Sequence, residues 1–314
     1  MNEMKPLLSI CIPTYNRLEI LRKSLESIYN QATDEIMPLF EVVISDNSKN
    51  HECKQLEEVF GGYQNFHYHI TECEGFLNSY HALTYGTGEY LKLHNNYTIL
   101  MEGTLAHMIE LVRENVEKKP YLFFSDGYRL KGKLLKANSF NQFMKDVSYF
   151  SSWSSGFGIW KNDFDRVKNK VDIDKYYPQT SFLISQSYKD SFILDDFNLF
   201  INQNVPGKGG YNIFRVFSVD YINLIKGAFE QGNITKDCYE YIRKSMLYKF
   251  LAVRFFKTVI ARMDNFEHTG IKESILVNYS RSEYYKFVIS SFWGPLRFFI
   301  REYYKTHFTQ LKKQ

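Results

Sequence analysis

Two short apolar runs near the start of the chain, each ending abruptly in small polar residues, constrain the fold most. Leu7-Leu8-Ser9-Ile10-Cys11-Ile12 passes into Pro13-Thr14-Tyr15-Asn16-Arg17, and Phe40-Glu41-Val42-Val43-Ile44 passes into Ser45-Asp46-Asn47-Ser48. Between them Leu18, Leu21, Leu25 and Ile28 share one helical face, with Arg22, Lys23 and Glu26 off it. That spacing predicts a helix over 18–30, with Asn16 as its N-cap. A strand, a crossover helix and a second strand form a parallel unit, and strands buried on both faces read as near-continuous apolar runs. Ligands of open α/β sheets bind past the carboxyl ends of the strands. The two polar tips are therefore expected to share one pocket, where Tyr15 can stack on a base and Asp46 can accept from a base N–H.

The alternation continues along the chain. Strands are expected at 8–12, 40–45, 66–70, 89–93 and 121–125, and helices at 53–60, 75–85 and 105–116, the pattern of a mostly parallel, doubly wound α/β sheet. Order loosens over 127–217. There a loop at 151–160 enters a strand, Pro178 opens a helix to about Tyr188, 192–200 is extended, and Val205-Pro206-Gly207-Lys208-Gly209-Gly210 reads as a flexible loop. From 218 the pattern is helical, with helices over 219–229, 236–261 and 281–314.

Composition narrows the function. A net charge of +4 over 314 residues is too weak a field to argue for nucleic acid. Cys11, Cys53, Cys73 and Cys238 show no CxxC pairing, and no HExxH is present, so neither a disulfide frame nor a zinc site is expected. The first residues carry no apolar leader and no stretch has about 18 uncharged apolar residues. A cytoplasmic protein is expected, with reduced thiols.

Pro13-Thr14-Tyr15-Asn16-Arg17, followed about thirty residues later by Asp46, resembles the nucleotide-sugar site of the inverting family 2 glycosyltransferases of the GT-A fold. Gly75 to Gly88 and Glu89-Tyr90-Leu91 are similar to the helix and strand that lead into that family's metal site. The likeness covers 7–105 well and 150–217 weakly. It implies a Rossmann-like GT-A domain with a nucleotide-sugar half over 1–105, an acceptor half over 106–217, and a helical extension over 218–314. It also implies that Pro13, Thr14, Tyr15, Asn16, Arg17, Asp46, Asn47, Asn78, His94, Asn95 and Asn96 line a nucleotide site for a UDP, dTDP or CDP sugar. The acceptor would be a glycan or lipid-linked sugar, and bacterial O-antigen or capsule enzymes such as abequosyl- and rhamnosyltransferases are similar.

The chain departs from the family at the end of the fourth strand. A run of aspartates there ordinarily holds Mg²⁺ or Mn²⁺; this chain has Leu93-His94-Asn95-Asn96-Tyr97-Thr98, with no carboxylate. Amides and a hydroxyl are poor Mg²⁺ ligands. A metal-independent enzyme is one reading, with Lys92, Lys208 and Arg215 as candidates to neutralise the leaving diphosphate. A metal held elsewhere, and a non-catalytic nucleotide-sugar-binding or glycan-binding subunit, are the others. An inverting transfer needs a base for the acceptor hydroxyl. The helix at Pro178-Gln179-Thr180 has no acid at its tip, so Asp174 is the first candidate, then Asp126, then Asp196. Trp153, Ser155, Gly156 and Trp160 are candidates for the acceptor site. The tail over 281–314 mixes aromatics with Arg281, Lys286, Arg297, Arg301, Lys305, Lys312 and Lys313 against only Glu283 and Glu302. That is the composition of a helix lying on a membrane surface, such as the cytoplasmic face of an inner membrane, or of a homodimer contact.

Overall fold

The computed structural model describes residues 5–206 and 209–308. The main sheet has five strands in the order β3-β2-β1-β4-β8. These are β1 (Leu8–Thr14), β2 (Phe40–Asp46), β3 (Phe66–Ile70), β4 (Tyr90–Leu93) and β8 (Gly158–Trp160). β1 runs parallel to β2 and β4, β2 parallel to β3, and β8 closes the edge antiparallel to β4. Both neighbours of β1 start in the same register, Leu8 lying opposite Phe40 and Tyr90. The carboxyl ends of three parallel strands therefore come out together. Crossovers are made by α1 (Leu18–Tyr29), a short α2 (Glu57–Phe60) and α3 (Asn78–Tyr85). α4 (Thr104–Asn115) buries Leu105, Met108, Ile109 and Val112.

The strand expected at 121–125 forms as β6 (Tyr121–Phe124) but does not extend the main sheet. It pairs with β9 (Phe192–Asp195), which also pairs antiparallel with β7 (Leu134–Ala137). Two buried bonds join this small sheet to the main one: the Tyr90 hydroxyl donates to Leu122 O at 2.8 Å, and Trp160 Nε1 donates to Pro120 O at 2.6 Å. β5 (Thr98–Leu100) pairs with β10 (Phe200–Asn202), and β11 (Gly209–Asn212) with β12 (Asn265–Glu267). β11 takes up part of the expected 205–210 loop; Gly207 and Lys208 lie outside the described residues.

Further helices are α5 (Phe140–Val147), α6 (Lys161–Val167), α7 (Pro178–Ile184), α8 (Ile213–Arg215), α9 (Tyr221–Glu230), α10 (Lys236–Ser245), α11 (Ala252–Phe255), α12 (Ile271–Asn278) and α13 (Arg281–Phe308). Wide π-type turns interrupt the C-terminal helices at Val216–Asp220, Met246–Leu251 and Phe256–Ile260. Leu8, Ile10, Val42 and Ile44 of the main sheet lie in one apolar core with α1 and α4. Cys11 of β1 and Leu91 and Leu93 of β4 belong to a second core shared with β6, β9 and the C-terminal helices. Among the described residues no helix is long and apolar enough to cross a membrane.

Candidate active site

The tips of β1, β2 and β4 are tied together by side-chain amides. Asn78, at the start of α3, is buried between the first two tips. Its Nδ2 donates to Thr14 O at 3.1 Å, Ser45 O at 2.8 Å and Asn47 Oδ1 at 3.0 Å, while its Oδ1 accepts from Ser45 Oγ at 2.6 Å. On the other side Asn96 Nδ2 donates to Thr14 Oγ1 at 2.8 Å. The expected N-cap role of Asn16 is not what forms: Arg17 occupies the cap position of α1 and no side chain caps it. Asn16 and Arg17 both take left-handed backbone angles, φ 56° and 73°. Consecutive strained residues of this kind cost free energy and cluster at ligand sites. Asn16 Oδ1 and His51 Nδ1 are buried without a hydrogen-bond partner, and Tyr15, next to Asn16 in the chain, is 51% exposed. Pro13 is half-buried one residue before Thr14.

Asp46 is fully buried and already engaged. Its Oδ1 accepts from Ser48 N at 2.8 Å and Ser48 Oγ, and its Oδ2 from the Tyr68 hydroxyl, with His51 Nδ1 at 3.9 Å. Burial, followed by the bond to Asp46, pushes the Tyr68 hydroxyl far up, so it stays a donor. Asn47 Nδ2 reaches across to Cys73 O at 3.1 Å.

The turn after β4 replaces the family's acidic run. Burial pushes the His94 imidazole down to about 3, helped by the charge of Lys92. It is a neutral core group, with Nε2 2.8 Å from Thr98 O. Asn95 N–H donates to Ser155 Oγ at 2.9 Å, and Ser154 Oγ donates to Asn95 Oδ1 at 2.8 Å, so the 154–156 turn leans on this one. Asn96 Oδ1 faces Arg17 Nη1 at 3.4 Å. Thr98 Oγ1 donates to Asn202 Oδ1 at 2.9 Å. Among the described residues no three His, Cys, Asp or Glu side chains converge. A divalent cation wants carboxylate oxygens; an amide facing a guanidinium and a hydroxyl bonded elsewhere do not fit one.

Other expected site residues fall inside the protein. Lys92 is buried between the rings of Phe124 and Phe200, its Nζ donating to Leu93 O at 3.0 Å and Ser155 O at 2.5 Å. Burial pushes this amine down to about 7, against the pull of Asp195 and Asp126. It cannot reach a diphosphate; it ties the Ser155 turn to β4. Asp126 Oδ1 accepts from Leu199 N and Phe200 N, both at 2.9 Å. Asp196 accepts from Ser125 Oγ, Arg129 N and Lys131 N. Both carboxylates are buried and clamp loop backbone. Trp160 is fully buried against Tyr90, and Gly156 is a packing glycine, where a Cβ would meet the Phe123 ring at 2.4 Å. Trp153 packs edge-on to Phe150 and Phe200. Asp174 is half-buried, its Oδ1 accepting from Tyr176 N at 2.8 Å and Tyr177 N at 2.9 Å. Arg215 is exposed at the end of α8, in a separate pocket. Lys208 lies outside the described residues.

A mainly parallel sheet flanked by helices, with a ring, amides and a buried carboxylate gathered at its strand tips, has the architecture of the GT-A fold. Residues 9–123 match the Glycosyl transferase family 2 model. The chain is 23% identical over 278 residues, 80% of this chain and 85% of the relative, to the GalNAc(5)-diNAcBac-PP-undecaprenol beta-1,3-glucosyltransferase of Campylobacter jejuni. Among solved structures it is similar to S. aureus TarS 1-349 in complex with UDP-GlcNAc, with a TM-score of 0.56 and 13% identity over 92% of this chain and 82% of that one. The mannosyltransferase PcManGT from Pyrobaculum calidifontis, in complex with GDP-Man and Mn2+, gives 0.54 and 13% over 99% and 89%. At these identities the structural likeness establishes the fold.

Proposed function

We propose that this chain moves one sugar from a pyrimidine nucleoside diphosphate to a hydroxyl of a lipid-linked glycan, with inversion and without a divalent cation. The acceptor oxygen forms a bond to the anomeric carbon as the bond to the diphosphate oxygen breaks. The nucleoside diphosphate leaves with that electron pair, and a carboxylate takes the acceptor proton. The names of the Campylobacter relative and of the TarS complex support a lipid-linked acceptor and a UDP-type donor. Tyr15 stacks the base, and Asn16 Oδ1 and His51 Nδ1, the latter 3.9 Å from Asp46, read its edge. Asp174 is the base, because it is half-buried and so partly open to solvent, whereas Asp126 and Asp196 are buried.

The observation that carries the metal-free reading is Arg17. Its guanidinium stands 3.4 Å from Asn96, at the place where the resemblance puts the metal. A fixed guanidinium can take up developing phosphate charge without a metal. The test is calorimetric binding of UDP, dTDP and CDP to the full chain, with EDTA and then with Mn²⁺. Binding that ignores EDTA and drops about tenfold or more in Arg17→Ala, with partial recovery in Arg17→Lys, is expected. Binding only with Mn²⁺ refutes the metal-free site. No binding of any nucleotide returns the chain to a non-catalytic glycan-binding subunit.

The setting we propose is a lipid surface at the cytoplasmic face of the membrane. On α13, Phe287 and Ser291 face inward, and Arg301 lies over the Tyr128 ring at 4.6 Å. Outward, Tyr285, Ile289, Phe292, Leu296, Phe299 and Tyr303 recur every three or four residues, 57 to 65% exposed, with Trp293 beside them. Aromatic anchors on an apolar stripe, with basic residues elsewhere on the same segment, suit the boundary between headgroups and acyl chains.

A further inference from the structure

A pocket lies on the far side of Phe76 from the β2 tip. It has a volume of about 640 Å³ and is lined by Tyr176, Tyr211, Arg215, Asp220 and Glu267. Three segments far apart in sequence build it: the turn before α7, β11 with the helix that follows, and β12. Phe76 packs against two of the lining rings, its centroid 6.3 Å from Tyr176 and 6.0 Å from Tyr211. Phe76 directly follows Gly75, whose carbonyl is 3.5 Å from Asn47 Nδ2 at the β2 tip. Tyr211 is also within electrostatic reach of Tyr97, in the turn after β4, and burial pushes its hydroxyl up to about 12. Phe76 therefore links the aromatic side of the pocket to the β2 tip.

Its charges identify what it can hold. Asp220 is raised first by burial and also by neighbouring Asp174, against the pull of Arg215 and Lys175. Glu267 adds a further acidic group to the lining. Two cations against three carboxylates make a poor site for a diphosphate, which is where Arg215 was first expected to act. Paired carboxylate and guanidinium groups instead offer acceptors and donors to neighbouring hydroxyls, and aromatic faces cover the apolar side of a pyranose ring.

We propose that this pocket is the subsite for a neutral pyranose of the acceptor glycan. The Phe76–Tyr176–Tyr211 wall packs against the ring, Asp220 and Arg215 hold its hydroxyls, and Asp174 stands next to Asp220 to take the proton of the attacking one. This rests on the transferase reading above and deepens it by naming where the acceptor sits.

The test uses the full chain with UDP present and saturation-transfer NMR on methyl glycosides of glucose, galactose, N-acetylglucosamine and N-acetylgalactosamine. At least one glycoside is expected to receive saturation. Its binding should weaken about tenfold in Asp220→Asn, which keeps the side-chain shape, and in Tyr176→Ala. UDP affinity should be unchanged in both. Tyr211 is left intact because it also packs on Phe266. Glycoside binding that neither variant alters overturns the subsite, as does capture of inorganic pyrophosphate in place of every glycoside, or no glycoside binding at all. Loss of UDP binding by the unmodified chain would instead refute the donor reading, so the two failures are distinguishable.

Discussion

Replacing Asn78 should unfasten the strand tips, and the two replacements should rank in a definite order. The side chain is 3% exposed, and its amide nitrogen has three acceptors within 3.1 Å while its oxygen takes the Ser45 hydroxyl. Two N–H groups can serve two of those acceptors well at one time. Asn78→Ala therefore removes about three buried bonds, each worth about 1 kcal/mol net, and strands buried carbonyls that recover little water; about 3 kcal/mol is lost. Asn78→Asp keeps the shape but points a carboxylate at Thr14 O and Ser45 O. A buried charge facing two carbonyls should cost more than the alanine, about 4 kcal/mol or beyond. The introduced carboxyl has its folded-state pKa raised, because the charged form is the penalised one. Its deficit is full above that raised pKa and shrinks as pH falls through it, once an O–H can again donate to one carbonyl. Guanidinium unfolding followed by tryptophan fluorescence, at about pH 8 and about pH 5, reads both effects. Calorimetry with UDP should show weakened binding in step, since Asn47 and Thr14 lose their anchor. If Asn78→Asp stays within about 1 kcal/mol of the unmodified protein at the higher pH, the staple argument is wrong.

Other outcomes follow from the same site. His94 is held down to about 3 by burial, then by Lys92, so the folded state binds fewer protons than the unfolded one. Its contribution is lost as pH falls below the unfolded value of about 6.5, by up to about 1.4 kcal/mol per pH unit, and His94→Gln should flatten the acid limb of a stability–pH curve. An unchanged limb would show that the ring protonates freely. Gly156→Ala drives a methyl into the Phe123 ring and to 2.8 Å from Phe124 O, so a loss of about 1–3 kcal/mol is expected in denaturant titrations. Phe292→Glu combined with Trp293→Glu on α13 should cut co-sedimentation with anionic phosphatidylglycerol vesicles about tenfold or more, leaving UDP affinity intact. Equal sedimentation would refute the lipid-surface assignment.

What could be read from sequence depended on how local its cause was. β1 and β2 announce themselves because a strand buried on both faces is a near-continuous apolar run, and α1 because its stripe is regular. β5 is three residues long and carries no period. β7 and α5, inside the stretch read as loose, gave weak local patterns. The sheet to which Tyr121–Phe124 belongs is decided by pairing with Phe192–Asp195, about seventy residues away, and no local pattern encodes that. The site divides in the same way. The tip residues Thr14, Asn47 and Asn78 do converge, as the topology required. That Asp46, Asp126 and Asp196 are already engaged depends on Tyr68, Leu199 and Lys131, partners visible only in three dimensions. Arg17 was legible as part of a motif, while its approach to Asn96 depends on two successive left-handed residues. The pocket of Tyr176, Tyr211 and Asp220 had no signal beyond scattered aromatics, because no two of its segments are adjacent in the chain.

The wide turns at Val216–Asp220, Met246–Leu251 and Phe256–Ile260 each spread a hydrogen-bonded loop over one residue more than an α-turn does. Each works as an expansion joint. Residues after it are rotated relative to those before it, so one continuous helical rod can present apolar side chains to the core on one side of the joint and still bring Arg254 round to Asp264 and the Phe266 ring on the other. In such a rod, gaining or losing one residue at a joint changes local pitch and leaves the packed flanks in place, whereas the same change in α10 would turn every later side chain by about 100°. The helical region thus carries built-in points at which one residue can be absorbed without turning the packed faces on either side.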